Sequence, residues 1–379
     1  MGHGRRLHGA ERGAAAALPH PGGGAGPRPG ARGGARMTAD LVVVGGGPVG
    51  LVTALEAARA GLEVVVVEPR DVPVDKACGE GLMPGALEVL DRLGIEVPGA
   101  PIRGFRYADE RVVAEHRFRG PAGRGVRRPV LHAALAAALS AHGVPLLRAR
   151  VERLEQDARG VDVAGIRARY VAGADGLHST VRRLAGLEGR AARRPRYGLR
   201  RHWPVTPWTD LVEVHWRPGF EVYVTPVGPA EVGVAVLGAR GLDLTTAVAA
   251  CAPVAERLAG ARPADAVRGA GPLRQRSTAR VRGRIALVGD AAGYVDALTG
   301  EGLAVGFASA RALVAAVAAD DLASYERAWR RTARAQRLVT EGVLRLATSP
   351  LRRAVVPIAR AVPPAFGTAV DLLAGTGAA

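Results

Sequence analysis

The chain has 379 residues, 48% of them hydrophobic, and a formal net charge of +17. Length and apolar content suffice for one large α/β domain with an inserted subdomain. Several classes are excluded: no apolar run reaches the ~18 residues of a membrane span, Cys78 and Cys251 offer neither a disulfide framework nor zinc spacing, and the arginines are scattered without interleaved aromatic residues, unlike a nucleic-acid surface. Scarce cysteine points to a reducing cytoplasm, and a small molecule is the expected partner.

Residues 1–36 form a Gly/Ala/Arg/Pro tract that is expected to be disordered, with Met37 a candidate start. Residues 41–44 (LVVV) read as a buried parallel strand. Gly45, Gly47, Pro48 and Gly50 follow as G-x-G-P-x-G, opening a helix over 51–61. A second strand over 62–68 ends in Glu68. Strand, glycine turn, helix, strand and terminal acid together form a dinucleotide-binding βαβ unit. A ligand's pyrophosphate sits on the helix N-terminus and Glu68 accepts from a ribose hydroxyl. Residues 128–143 read as a helix, and 144–155 as strand text. Residues 167–176 are a strand running into a turn. Four short strands over 197–238 predict an antiparallel or mixed sheet. Within it, alternation puts Glu213 and His215 on one face and Val214 and Trp216 on the other, without saying which face meets a ligand. His215 and Tyr223 are acid/base candidates. Residues 285–288 (IALV) end in Gly289-Asp290, and Gly300-x-Gly302-Leu303 opens a helix over 303–318. This second phosphate-sized turn, far along the chain, suits a long ligand lying extended across the domain, which favours FAD over NAD. Asp290 is placed for a ribityl or pyrophosphate-side hydroxyl. The N–H groups near Gly300–Leu303 are placed to face a flavin ring, with the helix dipole supporting its reduced anion.

Three stretches now stand together: VVGGGPVG with Glu68, GADGLHSTVRR (173–183) and VGDAAGYVDALTGEGL (288–303). They resemble the flavoprotein superfamily of para-hydroxybenzoate hydroxylase, geranylgeranyl reductase and flavin halogenases, over most of residues 37–320. The resemblance implies FAD as cofactor, with NADPH or NADH docking transiently as reductant. It places Asp175, Gly176 and Arg182 near the pyrophosphate and the nicotinamide approach, and gives Arg128, heading a helix, a contact with FAD. The segment DKACGEGL (75–82) would curl past the flavin, Lys76 and Gly79 beside the cofactor. Its Lys76-x-Cys78-Gly79 pattern is similar to that of the geranylgeranyl reductases and makes Cys78 a proton-donor or redox candidate. Glu80 is as readily a solvated loop acid.

The expected fold is α/β, a Rossmann-like FAD domain with an inserted β-sheet substrate domain and a C-terminal helical segment. The FAD domain would comprise 37–106, 125–190 and 274–320, the substrate sheet 191–273 with an excursion over 107–124, and the helical segment 321–379. That last segment is read as a lid on the substrate domain in preference to a membrane contact. The leading expectation is an NAD(P)H-dependent monooxygenase of a small organic molecule, suggested by size, domain order and the Asp-Gly motif. The alternative is a geranylgeranyl-reductase-like ene-reductase acting on an isoprenoid or other alkene.

Overall fold

The computed structural model describes Met1, residues 37–300 and residues 302–375. The tract expected to be disordered lies, apart from Met1, outside the described residues. Valine-rich segments form the centre of the first sheet because β-branched side chains suit a pleated surface buried on both faces. Thr38–Val44 lies between Val64–Val67 and Ile166–Gly173, parallel to both. Ile285–Leu287 adds on beyond, also parallel. Pro48–Arg59 and Gly302–Ala318 pack together against this sheet, and their apolar side chains complete its core. The chain therefore enters this sheet on three separate passes.

A second, seven-stranded sheet runs in the order Arg268–Ala270, Tyr197–Trp203, Glu231–Gly238, Phe220–Gly228, Val212–Arg217, Gly104–Ala108, Val113–Arg117. It is antiparallel except where Val212–Arg217 pairs in parallel with Gly104–Ala108, so the mixed alternative is the one realised. Gly81–Leu82, Gly123–Gly125 and Ala100–Ile102 form a small three-stranded sheet between the two larger ones in sequence. The strand text at 144–155 is realised only as Leu146–Leu147 and the start of Leu154–Gln156. Between them the charged residues of 148–153 turn the chain without ladder pairing.

Strand alternation divides the seven-stranded sheet between two cores. Val212, Val214 and Trp216 face inward with Tyr107 and Tyr223. The opposite face packs Val222, Val224 and Val234 against Leu244, Val248, Cys251 and Val254. The C-terminal helices Leu322–Ala347, Val355–Ala361 and Pro363–Ala374 cover the first of these cores through Leu344, Val356 and Val370. Polar ties reinforce them: His116 Nε2 lies 3.0 Å from Asp371, and Arg352 Nε donates to the Arg217 carbonyl at 2.8 Å. Among the described residues no helix is long and apolar enough to cross a membrane.

Candidate active site

A cavity of about 470 Å³ runs from the glycine turn after the first strand to the inner face of the seven-stranded sheet. One end is polar. Gly45, Gly47, Pro48, Glu68 and Arg128 line it. Glu68 accepts from Gly46 N at 2.8 Å and from Arg70 Nε at 2.7 Å. Burial pushes its carboxyl up, but the Arg70 side chain and the Gly46 and Arg70 N–H groups more than offset this and hold it below the ordinary range. Arg70, which sequence reasoning missed, thus shares the acid with any sugar hydroxyl. His132 was also missed. It is fully buried, its Nε2 lies 2.7 Å from the Gly46 carbonyl, and burial lowers its pKa. A carbonyl only accepts, so Nε2 carries the proton and Nδ1 is left an acceptor.

Mid-cavity, Lys76, Asp175, Gly176 and Asp290 come together. Asp175 accepts from Ser179 Oγ at 2.5 Å and Val181 N at 3.0 Å, capping the short helix that follows. Burial raises the pKa of Asp290 against the pull of Lys76, Arg128 and Arg182. Gly300, Gly302 and Leu303 also line this cavity, as do Cys78, Gly79 and Glu80. The far end is apolar: Phe105, Leu199, Val212, Leu237 and Leu273 form it.

Three expected cofactor residues lie outside this wall. Arg182 is buried and clasps main chain, donating to Leu177 O at 2.7 Å and Ala291 O at 3.1 Å and to Gln275 Oε1 at 3.0 Å. It pins the Asp-Gly turn to the Gly-Asp turn in place of lining the cavity. Gly50 and Gly289 instead allow tight packing behind the wall: a Cβ on Gly50 would lie 1.9 Å from Gly45 O, and one on Gly289 3.0 Å from Val49.

The catalytic candidates divide. Cys78 lines the cavity, its Sγ 3.3 Å from Glu80 N. Tyr223 lines it too, but its hydroxyl donates to Leu298 O at 3.1 Å, and burial raises its pKa well above the ordinary value. It anchors the 294–299 turn. His215 is corrected: its face of the strand points away from the cavity, into the core around Cys251. Burial lowers its pKa, but hydrogen bonds with Cys251 and Glu213 raise it from 6.5 to about 9. A raised value means the stabilisation is full below about 6.5 and is lost as pH rises through about 9. His215→Gln is therefore expected to lower the melting temperature by about 5 °C at pH 6 and by little at pH 10, leaving the flavin spectrum unchanged. An altered flavin spectrum with intact stability would contradict this placement.

Glu80 is not solvated. It is 3% exposed and sits at φ +60°, a region a glutamate rarely adopts. Its Oε1 accepts from Arg128 N at 2.8 Å, and its Oε2 lies 2.5 Å from His202 Nε2. His202 Nδ1 lies 2.7 Å from Asp265 Oδ2, and Arg200 bridges Asp265 at 3.1 Å to Asp75 at 2.5 Å. Gly233, opposite His202 across the ladder, leaves room for the Glu80 carboxylate, which a Cβ would approach to 3.2 Å. The result is a Glu–His–Asp chain from the cavity wall to Asp265, whose side chain is 23% exposed.

The polar end can be tested for a dinucleotide. Arg128 Nε and Nη1 and His132 Nδ1 are buried without a hydrogen-bond partner. Orphaned guanidinium donors call for an anion and an orphaned imidazole acceptor calls for a hydroxyl. Phosphates and sugar hydroxyls supply both, so the residues present fit FAD.

The doubly wound sheet, the glycine turn and this cavity define a dinucleotide-binding flavoprotein. A family model described as FAD binding domain matches residues 38–200. A menaquinone reductase from Mycolicibacterium smegmatis is 30% identical over 327 residues, 77% of this chain and 79% of that protein. Digeranylgeranylglycerophospholipid reductase 1 of Methanococcoides burtonii is 30% identical over 335 residues, 77% of this chain and 79% of its own. A 3-(3-hydroxy-phenyl)propionate/3-hydroxycinnamic acid hydroxylase from Mycobacterium avium is 36% identical over 185 residues, 39% of this chain, and the match spans 31% of the hydroxylase. The chain belongs to the FAD-dependent oxidoreductases of the para-hydroxybenzoate hydroxylase and geranylgeranyl reductase superfamily.

Proposed function

We propose that this FAD-dependent oxidoreductase is an ene-reductase that saturates an isoprenoid or similarly apolar alkene, with NADPH or NADH as reductant. One observation carries the reading: the Lys76–Glu80 segment, the stretch similar to the geranylgeranyl reductases, forms the cavity wall beside an apolar pocket and ends in a buried, hydrogen-bonded Glu–His–Asp chain. The reductase relatives support it, because they align across 77% of the chain against 39% for the hydroxylase. Both are named for isoprenoid-bearing substrates. This reverses the order suggested by sequence alone, where monooxygenation led.

In this reading Gly45, Gly47, Pro48 and Arg128 take the pyrophosphate of FAD, Glu68 and His132 its sugar hydroxyls, and Asp290 the ribityl side. Lys76, Gly79, Asp175, Gly176, Gly300, Gly302 and Leu303 complete the enclosure. Bound and reduced, the cofactor supplies a hydride to one alkene carbon. The other carbon needs a proton from the protein. Cys78 and Glu80, both in the cavity wall, are the candidate donors. Glu80 can be recharged from His202 Nε2, and His202 from Asp265 at the partly exposed end. Four carboxylates (Glu80, Asp265, Asp75, Glu231) meet the guanidiniums of Arg200, Arg127 and Arg268 here. Phe105, Val212 and Leu237 exclude water from the hydrocarbon.

The test is an anaerobic half-reaction. FAD-loaded protein is reduced with NADPH, NADH or dithionite, then mixed with menaquinone or a geranylgeranyl lipid without oxygen. Reoxidation of the flavin and a product with one isoprenoid double bond fewer, its two added hydrogens retained after any quinol is reoxidised in air, are expected. Reoxidation by oxygen alone, with an oxygen atom in the product, would return the reading to monooxygenation.

A further inference from the structure

A second cavity, of about 440 Å³, lies between residues 190–196, Arg274, Arg276 and the C-terminal end of Leu322–Ala347. Seven of its lining residues are arginines. Two are already paired: Arg196 with Glu221 and, at 3.2 Å, Asp296, and Arg274 with Glu341. Arg190, Arg193, Arg194, Arg276 and Arg345 have no ion-pair partner among the described residues. The composition is arginine-rich throughout, but in the cluster around Glu80 each guanidinium meets a carboxylate. Here five do not, and they share one concavity. The single carboxylate in the wall, Asp296, is held by Arg196.

Like charges gathered in a cleft repel one another and focus a positive potential into it. Arg337, which lines a different cavity, has its pKa lowered by burial first and then by the guanidiniums of Arg280, Arg274 and Arg276, against the pull of Glu341; the last two of those arginines line the arginine cavity. A dianion relieves the repulsion, and guanidinium forks match phosphate oxygens two at a time.

The position matters as much as the charge. Arg196 is followed in the chain by Tyr197, and Leu273 N donates to Arg196 O at 2.9 Å. Tyr197 and Gly271 line a separate opening together with Lys76, Leu177 and His178, which also line the cofactor cavity. The arginine cavity and this opening are thus neighbours along the same pair of segments.

We propose that the arginine cavity binds the phosphate of an organic ligand whose reactive end enters the cofactor cavity through that opening. Two sources share this chemistry: the phosphates of the pyridine nucleotide, and a phosphorylated head on the alkene substrate. The anion site stands without the ene-reductase reading, and only the substrate source rests on it.

The test uses the FAD-loaded protein and titration calorimetry with inorganic pyrophosphate at fixed ionic strength. The double variant Arg193→Gln/Arg345→Gln alters two exposed side chains and is expected to weaken binding at least about tenfold. Arg159→Gln, an exposed arginine on another segment, is expected to leave binding unchanged. Equal affinity in wild type and the double variant overturns the site. Displacement of pyrophosphate by 2′,5′-ADP, with KM for NADPH raised and kcat kept in the double variant, assigns the site to the reductant. Displacement by geranylgeranyl diphosphate alone assigns it to the substrate. Displacement by neither reduces the site to one for free inorganic anions and overturns the organic-ligand proposal. Because binding is read directly, failure here is distinct from failure of the ene-reductase reading.

Discussion

Gly45→Ala protein is expected to lose FAD and stability together, whereas Gly47→Ala protein loses FAD alone. The two glycines stand two residues apart and look equivalent in sequence, but their surroundings differ. Gly45 sits at φ +109°, and a Cβ there would lie 2.6 Å from Ala174 O and 2.8 Å from Asp175 Cα. Those atoms are backbone at the end of the central parallel strand and cannot give way. Left-handed strain of ~1–3 kcal/mol adds to the clash. Gly47 has ordinary backbone angles, and a Cβ there meets nothing within 4 Å. Its Cβ intrudes only into the cavity space assigned to the pyrophosphate. Thermal unfolding of the apoproteins and FAD titration separate the cases. Gly47→Ala should unfold like wild type yet bind FAD at least about tenfold more weakly, the cost of displacing one or two charge-assisted contacts. Normal FAD binding by Gly47→Ala would move the pyrophosphate away from this turn.

His202→Gln is expected to slow turnover by about 10²–10⁴-fold, the usual worth of a positioned proton donor, without slowing flavin reduction by NADPH. The hypothesis rests on the chain from Glu80 through His202 to Asp265 and on the rare backbone conformation that holds Glu80 in it. Glutamine keeps a hydrogen-bonding side chain but cannot pass a proton between two carboxylates. Glu80→Gln should produce a similar loss, and the double variant little more, because both changes break one path. A solvent deuterium effect on substrate reduction should be larger in wild type than in either variant. Folded variants that saturate the alkene at the wild-type rate would remove the chain from the chemistry and leave it a structural tie.

What sequence made legible was local. The glycine turn, Glu68 and the Gly-Asp turn declare themselves because the backbone requirement and the proposed ligand contact fall within a few residues. The helices Pro48–Arg59 and Gly302–Ala318 were readable from the same signals. Glu80, His202 and Asp265 were not, because 122 and 63 residues separate the interacting pairs and no spacing rule connects them. Alternation sorted His215 from Trp216, yet the choice of face came only with the parallel strand Gly104–Ala108 and the C-terminal helices, which close over the Trp216 side. Arg182 shows a different case: the motif names the residue, but its guanidinium is held by the main chain of Leu177 and Ala291.

The three-pass sheet also sets an order of events during synthesis. Ile166–Gly173 fills its place between Thr38–Val44 and Ile285–Leu287, and Leu303 completes the cavity wall. A ribosome must therefore release residue 303 before the cofactor's enclosure exists. Until Ile285–Leu287 emerges, Ile166–Gly173 lacks its parallel partner on one edge in a chain dominated by distant contacts, the condition that slows folding and exposes it to aggregation. Chaperone demand in this protein should thus follow the emergence of its last sheet strand, not of its glycine turn.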